Sequence, residues 1–286
     1  MKEVRTIAAI FIGSILLLAG TSVYASHRHP AISFSESQNQ ALVSEAVFAT
    51  TTAQIALQPG SVDVPIFIYH SVRPPYEGET QDVKQYTVSP ENLDAQLKSL
   101  KDAGYVVISL DRFVDRLKNG TPIPARSAVL TFDDGWENQI VYALPILKKY
   151  QDTATFFVYT HALGRTNFMT WDDLKTLDTA GMSIGDHTET HPYLFKITDP
   201  KQMEKEIMGS KKRLEDFLGK PVTQFAYPFG HGNGLALDTI IKAGFLSART
   251  TYPALHNSKD DLYNLNAYLV QDTPDFAKKL IGMMEK

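Results

Sequence analysis

From Val62 onward, short apolar runs rich in β-branched and aromatic residues alternate with stretches whose apolar positions recur at helical spacing. The runs are VPIFIYH, YVVISL, SAVLTFDD, TATFFVYT, GMSIGDH, TQFAYPFG, FLSART and NAYLVQ. Between them, SPENLDAQLKSLKDAG predicts a helix, with Ser89 as cap, Pro90 at the first helical position and Gly104 as terminator. DPKQMEKEIMGSKKRLEDFLG predicts another. Strand–helix alternation implies a parallel sheet, and about eight strands in roughly 220 residues predict a distorted (β/α) barrel of seven to eight strands.

Ahead of this region the texture differs. Residues 26–62 are rich in Ser, Thr, Ala and Gln without clear period and predict a linker. MKEVR followed by TIAAIFIGSILLLAG and the small residues of TSVYAS predicts a signal peptide over residues 1–25, cut after Ala25; an uncleaved anchor is the alternative. The catalytic domain is then expected over 63–286, in an exported protein, periplasmic or extracellular.

Composition narrows the chemistry. The 286 residues are 43% hydrophobic and 21% charged with net charge −4, which is ordinary for a globular chain and offers no basic surface to nucleic acid. There is no cysteine, so thiol nucleophiles, disulfides, thiolate metal sites and a lipoprotein anchor are excluded. Any metal must be held by histidine and carboxylate.

In a barrel of this kind the chemistry gathers at the C-terminal strand ends. One strand ends in His70, one in Asp133 and Asp134, one in His187 and His191, and one in the turn Tyr227–Gly230. Asp-Gly is ordinary turn punctuation, yet two adjacent carboxylates cost energy unless a metal or a proton separates their roles. His187-x-x-x-His191 spacing can set two imidazoles on one side of a helical turn, the arrangement for a shared divalent ion. A carboxylate from another strand would complete the ligand set, leaving its neighbour to take a proton from water.

TFDDG, HTETH and YPFG, in this order and spacing, resemble the polysaccharide deacetylases, the NodB-homology carbohydrate esterases of family 4, over roughly residues 63 to 272. The resemblance implies Asp133 as catalytic base, Asp134, His187 and His191 as metal ligands, and the backbone N–H of Phe229 as oxyanion donor. It points to Trp171 as a groove-lining aromatic. Trp136 and Tyr227 are further candidates for substrate binding. Where the family commonly shows Arg-x-Pro-[Tyr/Phe], this chain reads Ala226-Tyr227-Pro228-Phe229, so another residue must orient the base. The family's late acid histidine is also missing from YNLNAYLVQD. His70 is its best replacement, a placement that resembles the subgroup acting on poly-β-1,6-N-acetylglucosamine. His256 is the weaker alternative, His161 and His231 fall in loop-like contexts, and His27 and His29 flank the expected cut.

The expected function is removal of N-acetyl groups from an N-acetylglucosamine polymer, poly-β-1,6-N-acetylglucosamine before peptidoglycan or chitin-type oligomers. The cofactor is a divalent metal, zinc before nickel, cobalt or ferrous iron. The partner is the acetylated glycan, with no nucleic acid, and with a membrane only through an uncleaved N-terminus; oligomeric state is left open. Two other readings stand: O-acetyl ester or amide hydrolysis at the same metal, and a non-catalytic carbohydrate-binding protein on this scaffold.

Overall fold

The computed structural model describes residues 61–284. The expected signal peptide, residues 26–60 of the expected linker and the histidines at positions 27 and 29 lie outside the described residues; Ser61 and Val62, expected in the linker, belong to a strand Ser61–Asp63 paired antiparallel with His256–Ser258. All eight apolar runs form strands: β1 Ile66–Tyr69, β2 Val106–Val107, β3 Ser127–Phe132, β4 Thr155–Val158, β5 Ser183–Asp186, β6 Gln224–Ala226, β7 Ser247–Arg249 and β8 Tyr268–Leu269. Seven curl into a parallel half-barrel in the order β7-β6-β5-β4-β3-β1-β8, while β2 pairs with the first residues of β3. Backbone bonds between Ala248 and both Leu262 and Leu265, and from Thr250 N to Leu265 O, run β7 onto the chain that becomes β8.

The helices form as the sequence predicts. Ser89 Oγ accepts from Asn92 N, Pro90 opens the helix Pro90–Asp102, and Gly104 follows it at φ 76°. The second predicted helix spans three joined pieces, with a π segment Lys205–Gly209 between Pro200–Glu204 and Ser210–Leu218. Among the described residues no helix is long and apolar enough to cross a membrane.

Strand alternation divides the core. Phe67, Tyr69, Leu130, Phe132, Phe156 and Val158 share one cluster with the helices, and their rings stack across strands (Tyr69–Phe132 5.0 Å, Phe132–Phe156 4.8 Å). Ile66, Ile68, Val129, Phe157 and Ala226 point the other way, packing with Phe113 and Leu117 of the helix Leu110–Asn119. Continuing that second face by twos, Ile66–Ile68 leads to His70, Val129–Thr131 to Asp133, and Gly185 to His187. The period that fills the barrel interior thus delivers the polar residues to its mouth.

Candidate active site

The TFDDG turn serves both readings. Asp134 and Gly135 both take left-handed backbone (φ 75° and 72°), which a short polar residue and glycine tolerate. A Cβ on Gly135 would meet Val158 Cγ1 at 2.9 Å, so the turn also needs glycine for space. With the chain reversed there, Asp133 points inward and Asp134 toward the cleft.

Asp133 is buried and faces Arg249, the last residue of β7, whose side chain is fully buried. Arg249 Nη2 donates to Asp133 Oδ1 at 2.6 Å and also reaches Oδ2. Burial alone would raise the Asp133 carboxyl; the Arg249 charge, helped by His187 and His70, outweighs it and holds the group below its usual range. Arg249 occupies the role left open by Ala226. Its signal in the sequence was a lone arginine inside the apolar run FLSART, since a charge facing a core must find a buried counter-charge. Gln139 adds a second support: its buried Nε2 donates to Asp133 O (2.6 Å) and His70 O (2.8 Å), tying the ends of β1 and β3 together.

Asp134, His187 and His191 converge, with one ligand atom from each within 4.8 Å of the others. Asp134 Oδ1 lies 3.7 Å from His187 Nε2 and 3.4 Å from His191 Nε2. The supports select those atoms. His187 Nδ1 is 2.7 Å from Ala226 O and donates to it, which leaves Nε2 as the lone-pair nitrogen. Trp136 Nε1 donates to Asp134 Oδ2 at 3.1 Å, which leaves Oδ1 facing the imidazoles. Burial and then the neighbouring His191 push His187 down to about 4 against the pull of Asp133 and Asp134, and burial likewise lowers His191. Two neutral imidazoles and a carboxylate, with no thiolate, fit a divalent transition ion.

The segment joining the two histidines is not the helical turn that its spacing predicts. After β5 ends at Asp186 it runs as a loop with Thr188 at φ 73° and His191 at φ 59°. Asp186 Oδ1 accepts from Thr188 N (3.0 Å), and Glu206 accepts from Thr190 N and Thr190 Oγ1 at 2.8 and 2.7 Å. Ser210 Oγ lies 2.6 Å from Asp186 Oδ1, and burial pushes the Asp186 carboxyl up to about 8 despite these contacts. Glu206 belongs to the π segment and Ser210 follows it directly, so the widened helix supports the loop. Tertiary hydrogen bonds, not local helicity, bring the imidazoles together.

The remaining candidates divide. His70 lines the same cleft, with Nε2 3.9 Å from Asp133 Oδ2 and its ring 4.9 Å from that of Tyr86. Phe229 sits at the mouth in left-handed backbone (φ 58°), its ring stacked on Tyr193 at 3.8 Å. Trp136 also lines the cleft, stacked on Phe168 at 4.4 Å. Tyr227 borders it too, although its hydroxyl donates to Tyr263 O at 3.1 Å and is not free for a sugar. Trp171 is a correction. It opens the helix Trp171–Thr179, packs against Phe217 at 5.0 Å, and does not line the cleft, because core packing claims its ring. His256 is exposed beside Asp63 (3.2 Å), and His161 and His231 are exposed as well.

Comparison with known proteins agrees with this geometry. The family model described as polysaccharide deacetylase matches residues 120–248. The poly-β-1,6-N-acetyl-D-glucosamine N-deacetylase of Staphylococcus aureus (strain MRSA252) is 33% identical over 178 residues, which cover 58% of this chain and 61% of that relative. Among solved structures, the Streptococcus pyogenes deacetylase PplD in complex with acetate aligns with TM-score 0.71 at 28% identity, over 80% of this chain and 100% of that one. BA0330 of Bacillus anthracis aligns with TM-score 0.67 at 30% identity, over 77% and 69%. Half-barrel, mouth residues and relatives define one class of hydrolase: the chain belongs to the polysaccharide deacetylase family.

Proposed function

We propose that the protein is an exported, metal-dependent enzyme that removes N-acetyl groups from an N-acetylglucosamine polysaccharide, with the β-1,6-linked polymer preferred. The observation that carries this reading is the Arg249-anchored Asp133 beside the converging Asp134, His187 and His191. The name of the Staphylococcus aureus relative supports the choice of polymer. The basic start and apolar run before residue 26 support export.

Asp134, His187 and His191 would hold the divalent ion, zinc before nickel, cobalt or ferrous iron. When bound, it supplies Lewis-acid polarisation and a water of lowered pKa. Asp133, ionised and aligned by Arg249, takes the proton from the attacking water. The Phe229 N–H donates to the oxygen that gains negative charge. His70, at the mouth with Nε2 3.9 Å from Asp133 Oδ2, gives a proton to the departing amine, so that free amino sugar and acetate result.

Acetate release from β-1,6-linked and β-1,4-linked N-acetylglucosamine oligomers, acetylated xylan and small cyclic amides tests the reading. Release from the β-1,6 series ahead of the others is expected. Preferential release from xylan or the cyclic amides would replace it with an esterase or amidase, and glycan binding without any release would make the protein a binding module.

A further inference from the structure

The cleft is larger than its chemistry requires. Its volume is about 1130 Å³, above the roughly 300–1,000 Å³ of a site for one compact ligand. Part of its wall is the excursion from Arg73 to Tyr86, which leaves the end of β1 and returns through a short parallel pairing of Ser71–Val72 with Thr87–Val88.

The excursion is firmly built and carries exposed rings. Arg73 pairs with Glu79, whose side chain is only 2% exposed, and Glu79 also accepts from Tyr76 N at 3.3 Å. Ser71 N donates to Tyr86 O (3.0 Å) and Thr87 Oγ1 to Val83 O (3.0 Å). On this frame Tyr76 and Tyr86 are 57% and 44% exposed, and both line the cleft. The Arg73 guanidinium lies 4.5 Å from the centre of the Tyr76 ring, fixing its plane. Each ring has a neighbour, Arg73 or His70, and leaves its exposed surface to the cleft; such apolar faces and polar tips suit a ligand with the same mixed character. A pyranose has it, with C–H faces and a hydroxyl rim.

We propose that Tyr76 and Tyr86 form a subsite for the sugars adjoining the one that reacts, so that the protein selects a chain over a single acetylated sugar. This rests on the deacetylase reading. Tyr86 touches the ring of His70, so the subsite starts at the reacting centre; Tyr76 lines the same cleft, packed against Arg73 rather than against a group assigned to the chemistry. The proposal carries a length dependence: a chain longer than a disaccharide would engage both rings, and a disaccharide only the ring beside the reacting centre.

The test is calorimetric titration of β-1,6-linked N-acetylglucosamine oligomers, from disaccharide to hexasaccharide, into the full chain carrying Asp133→Asn. Adding Tyr76→Ala should weaken hexasaccharide binding by about tenfold, the worth of one aromatic contact, and disaccharide binding far less. Tyr76→Phe, which keeps the ring, should restore the hexasaccharide affinity. In the otherwise unaltered protein Tyr76→Ala should raise KM for the hexasaccharide and leave kcat. Hexasaccharide binding that is equal with and without the Tyr76 ring, or no preference for longer chains, would overturn the subsite. Binding with the predicted length dependence but no acetate release from the unaltered protein would sink the deacetylase reading alone.

Discussion

Asp133 and Arg249 depend on each other. A carboxylate this deeply buried would be neutral without a cation, and a neutral group is no base; a buried arginine without a carboxylate would be worse still. Arg249→Met should therefore cost about 3–5 kcal/mol, measured by denaturant unfolding, because it strands one charge of a buried pair. The pH dependence has a fixed sign. Asp133 is held below its unfolded value of about 4, so the pair stabilises the fold above that pH and loses its contribution as pH falls through the folded value. The stability gap between the wild type and Asp133→Asn should narrow as pH falls below about 4, and a gap that stays constant would deny the coupling. His70→Ala should lower turnover by on the order of a hundredfold at unchanged metal content, while His256→Ala, on the exposed side of Asp63, should leave it near wild type. The reverse pattern would reassign the acid.

At the scale of elements, the sequence was legible where local pattern and tertiary need coincide. Each of the eight strands occupies an apolar β-rich run, and the polar residue ending several of them is the next inward position of the same two-residue period. Legibility failed where a long-range partner decides. Arg249 reads as an odd charge in FLSART until Asp133, distant in sequence, is placed opposite it. The His187–His191 segment has helical spacing, yet Asp186, Glu206 and Ser210 hold it in a loop. Trp171 was misread because an aromatic at a helix start packs a core as readily as it lines a groove. Close packing between β4 and β5 gives an element-scale prediction. A Cβ on Gly185 would fall 2.4 Å from the Phe157 ring, so Gly185→Ala should destabilise by about 1–3 kcal/mol through overpacking, seen as a lower thermal midpoint. Phe157→Leu in the same chain should recover part of that loss.

For the whole molecule, the half-barrel works as a jig. Its interior, filled by Ile66, Ile68, Val129 and Phe157, sets the depth at which Asp133 meets Arg249, and its mouth gathers the Asp134, His187 and His191 ligand atoms. With His70, the residues of the centre come from strands β1, β3, β5 and β7, or from the turns that follow them, so the centre exists only once the sheet has curled. The central claim is that this gathered trio holds the ion on which hydrolysis depends. The most direct measurement is acetate release from β-1,6-linked N-acetylglucosamine oligomers by metal-stripped protein during titration with zinc. Activity should be absent after stripping and recover to saturation with a single equivalent of metal, and His187→Ala/His191→Ala protein should neither bind that equivalent nor recover. Undiminished release after stripping, or full recovery by the double variant, would contradict the account.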